Sequence, residues 1–217
     1  MVVPHDMYED DDDDFCCGRA YGGSRIAVVS MARYNPALDV LQDIEREHAW
    51  PTSHCQTYVE GLCDLRVPLQ GSEAPIGEKT AMHAAVAAIS PEPATTSPQE
   101  QKETMLWLGR VCKTASHELG HCFGIDHCTY FACIMQGTAG LVEDARQPPY
   151  LCPVDLAKIL RAIALAPKEP ASSDLLKRAE TNRYGALREF CLRWPEDRMF
   201  QAFQAWLDHR IAGTEQG

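Results

Sequence analysis

The chain has 217 residues, 45% of them hydrophobic, and a formal net charge of -11. That length allows one sizeable core with a small second lobe, and the hydrophobic fraction is ordinary for a globular protein. The acidic excess argues against nucleic acid or an anionic membrane as the main partner, and no run of about 18 apolar residues marks a transmembrane helix.

The first residues, Met1-Val2-Val3-Pro4-His5-Asp6, lack the basic and apolar regions of a signal peptide. A cytoplasmic or nuclear location is therefore expected. In that setting the ten cysteines read as metal ligands plus buried thiols; the alternative is a secreted disulfide framework. Glu9 and the run Asp10 to Asp14 read as a solvated, self-repelling segment without the spacing of a calcium loop. Arg25 to Ala32 read as a buried strand after the Gly22-Gly23 turn. Prolines punctuate residues 35–100. Within that stretch Leu38 to His48 fits a helix, Met82 to Ile89 fits a helix or a strand, and residues 90–100 read as a loop.

From about Glu100 to Phe123 a helix is expected. Leu106, Leu108, Val111, Cys112 and Ala115 give it a largely apolar surface, and Gly124 stops it. Residues 128–147 read as irregular. A helix opened by Pro153 covers Leu156 to Leu165, and a Pro- and Ser-containing break follows at 167–173. Two further helices are expected at Asp174–Trp194 and Glu196–Ile211.

At the end of the first long helix stands His117-Glu118-Leu119-Gly120-His121-Cys122-Phe123-Gly124-Ile125-Asp126-His127. This is an intact H-E-x-x-H-x-x-G-x-x-H. On a helix His117 and His121 lie at i and i+4, on one face, where two neutral imidazoles can grip one Zn2+. Gly124 lets the backbone turn sharply, and that turn brings His127 back as a third ligand. Three protein ligands leave one position open for water, which marks a catalytic rather than a structural site. Zn2+ lowers the pKa of bound water toward about 7. Glu118, one step round the helix, is placed as general base and acid. The reaction class that follows is metal-assisted amide hydrolysis. A lone Met is usually core filling. Met135, however, sits where the metzincins, which share the long motif, place their Met-turn.

Cys128 and Cys133, then Cys152 and Asp155, form a second group with the loop-separated pairing of a closed structural zinc site. Three thiolates and one carboxylate make a chemically possible donor set, though a softer fourth ligand suits zinc better. The other reading is three unrelated buried cysteines, with Asp155 only capping the helix after Pro153.

His117 to His127 followed by Cys128, Cys133, Met135 and Cys152 resembles the archaemetzincin family of zinc metallopeptidases. Ser30-Met31-Ala32-Arg33-Tyr34, Cys112-Lys113-Thr114 and Leu151-Cys152-Pro153 are similar to it as well. The resemblance implies an α+β, metzincin-like fold: a mixed, twisted sheet on the active-site helix, with a smaller C-terminal helical subdomain. It implies catalytic zinc at His117, His121 and His127 with Glu118 as base, and a second, structural zinc at the cysteine cluster. The family's last cysteine is Asp155 here. Peptide hydrolysis is implied, in some members from the N-terminus as aminopeptidases. Asp6-Met7-Tyr8 and Phe15-Cys16-Cys17-Gly18-Arg19-Ala20 resemble a segment well inside the family's sheet, so the chain is expected to start late, truncated at its N-terminus.

The expected organisation is an acidic segment at 1–23, a catalytic domain at 24–166 with an insertion near 35–100, and a helical extension at 167–217. Expected partners are peptide substrates, without nucleic acid or membrane, around a monomer. The competing reading is a non-catalytic zinc-binding interaction protein; the intact Glu118 opposes it.

Overall fold

The computed structural model describes residues 1–8, 10–11, 15–21, 25–51, 55, 80–89, 97–164 and 172–215. Glu9, the centre of the acidic run at 12–14, the proline-containing stretch 56–79, residues 90–96 and most of the expected break, 165–171, lie outside the described residues.

The described residues are α+β: a small three-stranded sheet and a majority of helix. The strands are β1 (Val2–Val3), β2 (Gly18–Tyr21) and β3 (Ile26–Ser30). Their order is β1-β3-β2. β1 runs parallel to β3 with Val2 opposite Val29, and β2 runs antiparallel with Gly18 opposite Val29 and Tyr21 opposite Ile26. The sheet is therefore mixed. β3 is its centre, as the β-branched run from Ile26 predicts, and Val29 and Ser30 are buried.

The helices are α1 (Ala81–Ala88), α2 (Gln99–Cys122), α3 (Leu141–Arg146), α4 (Pro153–Ala164), α5 (Ser173–Cys191) and α6 (Arg198–Glu215). The ambiguous stretch near Met82 is thus a helix, opened by a capping box between Thr80 and His83. The helix expected at Leu38–His48 does not form. Two short 3-10 turns, Pro36–Leu38 and Arg46–His48, stand there instead. Asp43, with φ 53°, breaks the right-handed path between them. The region 128–147 is not wholly irregular, because α3 fills part of it.

The chain divides into two compact units. The first comprises Met1–Glu45 and Pro98–Glu180. In it α2 packs against β2 and β3, and the Trp107 indole N–H donates to Met31 O at 2.7 Å. Tyr34, Ile44 and Leu141 form a core cluster, with Trp107 and Val111 against it. The wholly buried face of α2 is more polar than its sequence suggests. It carries Arg110, Lys113, Thr114 and Glu118, whereas the expected apolar positions Leu106, Leu108, Val111, Cys112 and Ala115 are only half-buried. Each of those polar side chains has partners, as burial requires. Arg110 forms a two-pronged ion pair with Asp39 at 2.6 and 3.0 Å. Thr114 Oγ1 meets Tyr34 Oη at 2.5 Å.

The second unit comprises Arg46–Ser97 and Thr181–Gly217. There α1 packs on α6. Trp50 stands edge-on to Phe203 at 6.4 Å, and Tyr184 to Trp206 at 5.8 Å. Among the described residues no helix is long and apolar enough to cross a membrane.

Candidate metal centre and cleft

α2 ends in a backbone device that places two histidines. Gly124 has φ 78°. Its N–H donates to His121 O at 2.9 Å, and Ile125 N–H donates to Gly120 O at 3.1 Å. This pair of bonds is the Schellman arrangement, which favours glycine at its left-handed position. It also delivers the carbonyl of Ile125 to the His121 ring, whose Nδ1 lies 2.7 Å from it. His117 Nδ1 lies 2.7 Å from the carbonyl of Ile134. Carbonyl oxygens only accept, so each ring carries its proton on Nδ1. Nε2 of each ring is then a free lone pair, and the two Nε2 atoms face each other at 3.0 Å.

Two such lone pairs repel without a cation beside them. A tetrahedral ion at about 2.0–2.1 Å from both would hold them about 3.4 Å apart, close to the observed spacing. The His127 ring completes the group, with its centroid 5.2 Å from that of His117 and 4.9 Å from that of His121. One ligand atom from each of the three lies within 4.8 Å of the others. Burial lowers the pKa of His117 and of His127, with the neighbouring imidazoles adding to the shift. Both rings are thereby favoured in the neutral, ligating form. The donor set fits zinc.

Glu118 is 5% exposed. Burial raises its pKa, against the opposing pull of His121, of Arg19 and of a hydrogen bond from the Ala20 backbone. Its carboxylate lies against Gly18 so closely that a Cβ there would overlap Oε1. Met135 is fully buried beneath α2, and a Cβ at Gly120 would overlap its Sδ. Gly137 borders His127 in the same way, since a Cβ there would stand 3.0 Å from Nδ1.

The structure also brings Cys128, Cys133, Cys152 and Asp155 together, with one ligand atom of each within 4.8 Å of the rest. Cys128 Sγ and Cys152 Sγ are 4.0 Å apart. Asp155 Oδ2 lies 3.5 Å from the sulfurs of both Cys133 and Cys152. A tetrahedral zinc would set such donors about 3.6–3.8 Å apart. Backbone N–H groups of Met135 and Cys152 point at Cys133 Sγ, and that of Asp155 at Cys152 Sγ. N–H groups aimed at sulfur favour thiolates. In the thiol form burial pushes Cys133 up to about 12; a bound cation would reverse that balance. Burial opposes ionisation of Asp155 as well, but its hydrogen bonds to Lys158, Cys152 and Cys133 outweigh it and leave the carboxyl below its usual range. Its Oδ1 accepts from Lys158 Nζ at 2.8 Å, which leaves Oδ2 for the cluster.

The histidine group opens onto a cleft of about 1030 Å³, lined by Gly18, Arg19, Glu118, Thr138, Asp144 and Gln147 among others. A family model described as Peptidase family M54 matches residues 73–161, the span that holds both ligand groups. Archaemetzincin-2 of Pongo abelii is 40% identical over 94 residues, which are 43% of this chain and 21% of the relative. Archaemetzincin-2 of Homo sapiens is 46% identical over 63 residues, 29% of this chain and 18% of the relative. Archaemetzincin-1 of Mus musculus is 31% identical over 158 residues, 71% of this chain and 24% of the relative. This chain is a relative of the archaemetzincins. The matches span at most 24% of the length of these relatives. No solved structure matches the chain.

Beside the residues that carry the archaemetzincin likeness stand others that sequence reasoning does not single out. Gln147 Nε2 donates to Ile134 O and Gln136 O at 2.7 and 2.8 Å, bracketing Met135. Lys113 Nζ donates to Asp144 O at 2.5 Å and to Gln147 O at 3.2 Å. Gly18 makes room for Glu118. Of these Lys113 and Gly18 left a trace in the sequence, within the family-like Cys112-Lys113-Thr114 and Phe15-Cys16-Cys17-Gly18-Arg19-Ala20, but without a role.

Proposed function

We propose that this chain is a zinc metallopeptidase that hydrolyses peptide bonds, with His117, His121 and His127 as zinc ligands and Glu118 as general base. The observation that carries this reading is the facing pair of unprotonated Nε2 atoms, each ring fixed by a backbone carbonyl, beside a buried carboxylate. Zinc supplies Lewis acidity there and a lowered pKa for water. Glu118 takes the proton of the attacking water and passes it to the leaving amine. The upward shift of its pKa suits that exchange, because a more basic carboxylate takes a proton more readily.

Among the described residues β2 lies at the edge of the sheet, and its residues Gly18, Arg19 and Ala20 line the cleft. An extended peptide can lie along that wall of the cleft. The substrate class is therefore a peptide in extended form, and cleavage from the N-terminus is the mode that the archaemetzincin likeness favours. A second zinc at Cys128, Cys133, Cys152 and Asp155 serves structure, because all four positions are filled by protein and none is left open.

A zinc-binding protein without turnover is the second reading. One observation favours it: the Glu118 carboxylate is engaged by the Ala20 N–H and pressed against Gly18. Peptide turnover by the wild-type chain, compared with Glu118→Gln, decides between the two. The peptidase reading expects zinc content to persist and turnover to fall about 10²–10⁴-fold in the variant. Equal turnover in both proteins, or none in the zinc-loaded wild type, removes it.

A further inference from the structure

The Ile134 carbonyl receives two hydrogen bonds. One comes from the His117 ring at 2.7 Å, the other from the Gln147 side-chain amide at 2.7 Å. The same amide nitrogen donates to Gln136 O at 2.8 Å, so it spans the turn that holds Met135. Gln147 is 4% exposed. Its backbone is held as well: its N–H bonds to Glu143 O and Asp144 O, and its carbonyl accepts from Lys113 Nζ. Lys113 stands four residues before His117 on α2. The connections therefore close on themselves, from Lys113 through Gln147 and Ile134 back to His117. Both ends of the circuit lie on one face of one rigid helix.

We propose that Gln147 is a positioning residue for the histidine metal site, fixing the Ile134 carbonyl that in turn fixes the tautomer and the angle of the His117 ring. A carbonyl in a loop can rotate about its flanking bonds. With His117 as its only donor it would follow the ring. With Gln147 as a second donor, itself anchored through Lys113, the carbonyl stays still and the ring follows it. Outer groups that hold a ligating imidazole in this way typically change metal affinity by about 10–100-fold. The inference rests on the reading that His117, His121 and His127 hold a metal.

The test is a cobalt titration of the metal-free chain, comparing wild type with Gln147→Met, which keeps the length and removes the donor. Cobalt on imidazoles and cobalt on thiolates absorb differently. Both sites give d–d bands but only the cysteine site gives sulfur charge-transfer bands, so the histidine site is followed by the d–d intensity that does not track the charge-transfer bands. Gln147 makes no hydrogen bond to any of the four cluster side chains. The expected result is a shift of the histidine-site midpoint to about 10–100-fold higher cobalt, with the charge-transfer midpoint unchanged. An unchanged histidine-site midpoint overturns the proposal. Equal weakening of both sites also overturns it, because that is loss of fold rather than of positioning. If the wild type shows no histidine-site bands at all, the metal reading itself has failed, which is a different result.

Should Gln147→Met not fold, hydrogen exchange of the Gln147 side-chain amide in the wild type decides the matter. The proposal expects exchange at least about tenfold slower than a free glutamine amide, as for a buried, bonded donor. It also expects further slowing as metal fills the histidines. Exchange at the free rate, or no response to metal, overturns it.

Discussion

At position 18 the absence of a single methyl decides where Glu118 can sit. A Cβ on Gly18 would overlap Oε1 of that carboxylate, and the backbone of β2 cannot retreat without losing its pairing with β3. Gly18→Ala should therefore displace the proposed base while leaving every histidine untouched. The expected outcome is normal metal content with turnover reduced about 100-fold, the usual effect of misplacing a catalytic group by about 1 Å. Turnover at the wild-type rate with full metal would show that Glu118 tolerates the shift. The sequence made the proposed ligands and base legible, because His117, Glu118, His121 and His127 crowd into eleven positions. It could not make Gly18 or Gln147 legible. Gly18 meets its partner 100 residues away, and no local pattern marks a glycine or a glutamine for contact with a distant helix.

Among the elements, the turn between α2 and His127 sets the Ile125 carbonyl beside the His121 ring. Gly124 at φ 78° has open space where a Cβ would stand, so the cost of a side chain there is backbone strain alone. Gly124→Ala is expected to lose about 1–2 kcal/mol of stability. It should also weaken metal at the histidine site, since the turn positions both the Ile125 carbonyl and His127. Thermal unfolding with and without metal checks this; a variant of unchanged stability and affinity would remove the strained turn from the account. Asp155→Cys tests the neighbouring cluster. It would replace a carboxylate 3.5 Å from two sulfurs with a fourth thiolate, a softer donor that suits zinc better. Cobalt bound there should gain about a third in charge-transfer intensity, in line with four thiolates instead of three. No gain would mean that position 155 is not a ligand. The long helices were legible from their spacing. The two-residue β1 was not, nor was the fate of Leu38–His48. There the apolar spacing suited a helix, but the left-handed Asp43 interrupts the right-handed path.

At the scale of the whole molecule, the pH dependence of stability follows from which buried groups resist charge. His117 and His127 both have folded-state pKa values below the ordinary 6.5, chiefly through burial. The unfolded chain therefore binds more protons than the folded one as pH falls below about 6.5, and stability must fall with it. Glu118 works in the opposite direction. Its folded-state pKa lies above 4.5, so the folded chain holds that proton more readily. Its contribution to stability grows as pH falls through the folded value toward 4.5. Metal-free protein should accordingly melt at lower temperature as pH is lowered from about 7.5 to 5.5. Glu118→Gln should show a decline at least as steep, because the opposing carboxyl is gone. His117→Gln should show a shallower one. Metal sharpens the contrast, since an ion on Nε2 must be displaced before the ring can take a second proton. A melting temperature in the metal-free protein that is flat or rises across that window would mean that the imidazoles charge as easily folded as unfolded. The partly buried, carbonyl-tethered His117 would then no longer account for a preformed metal site.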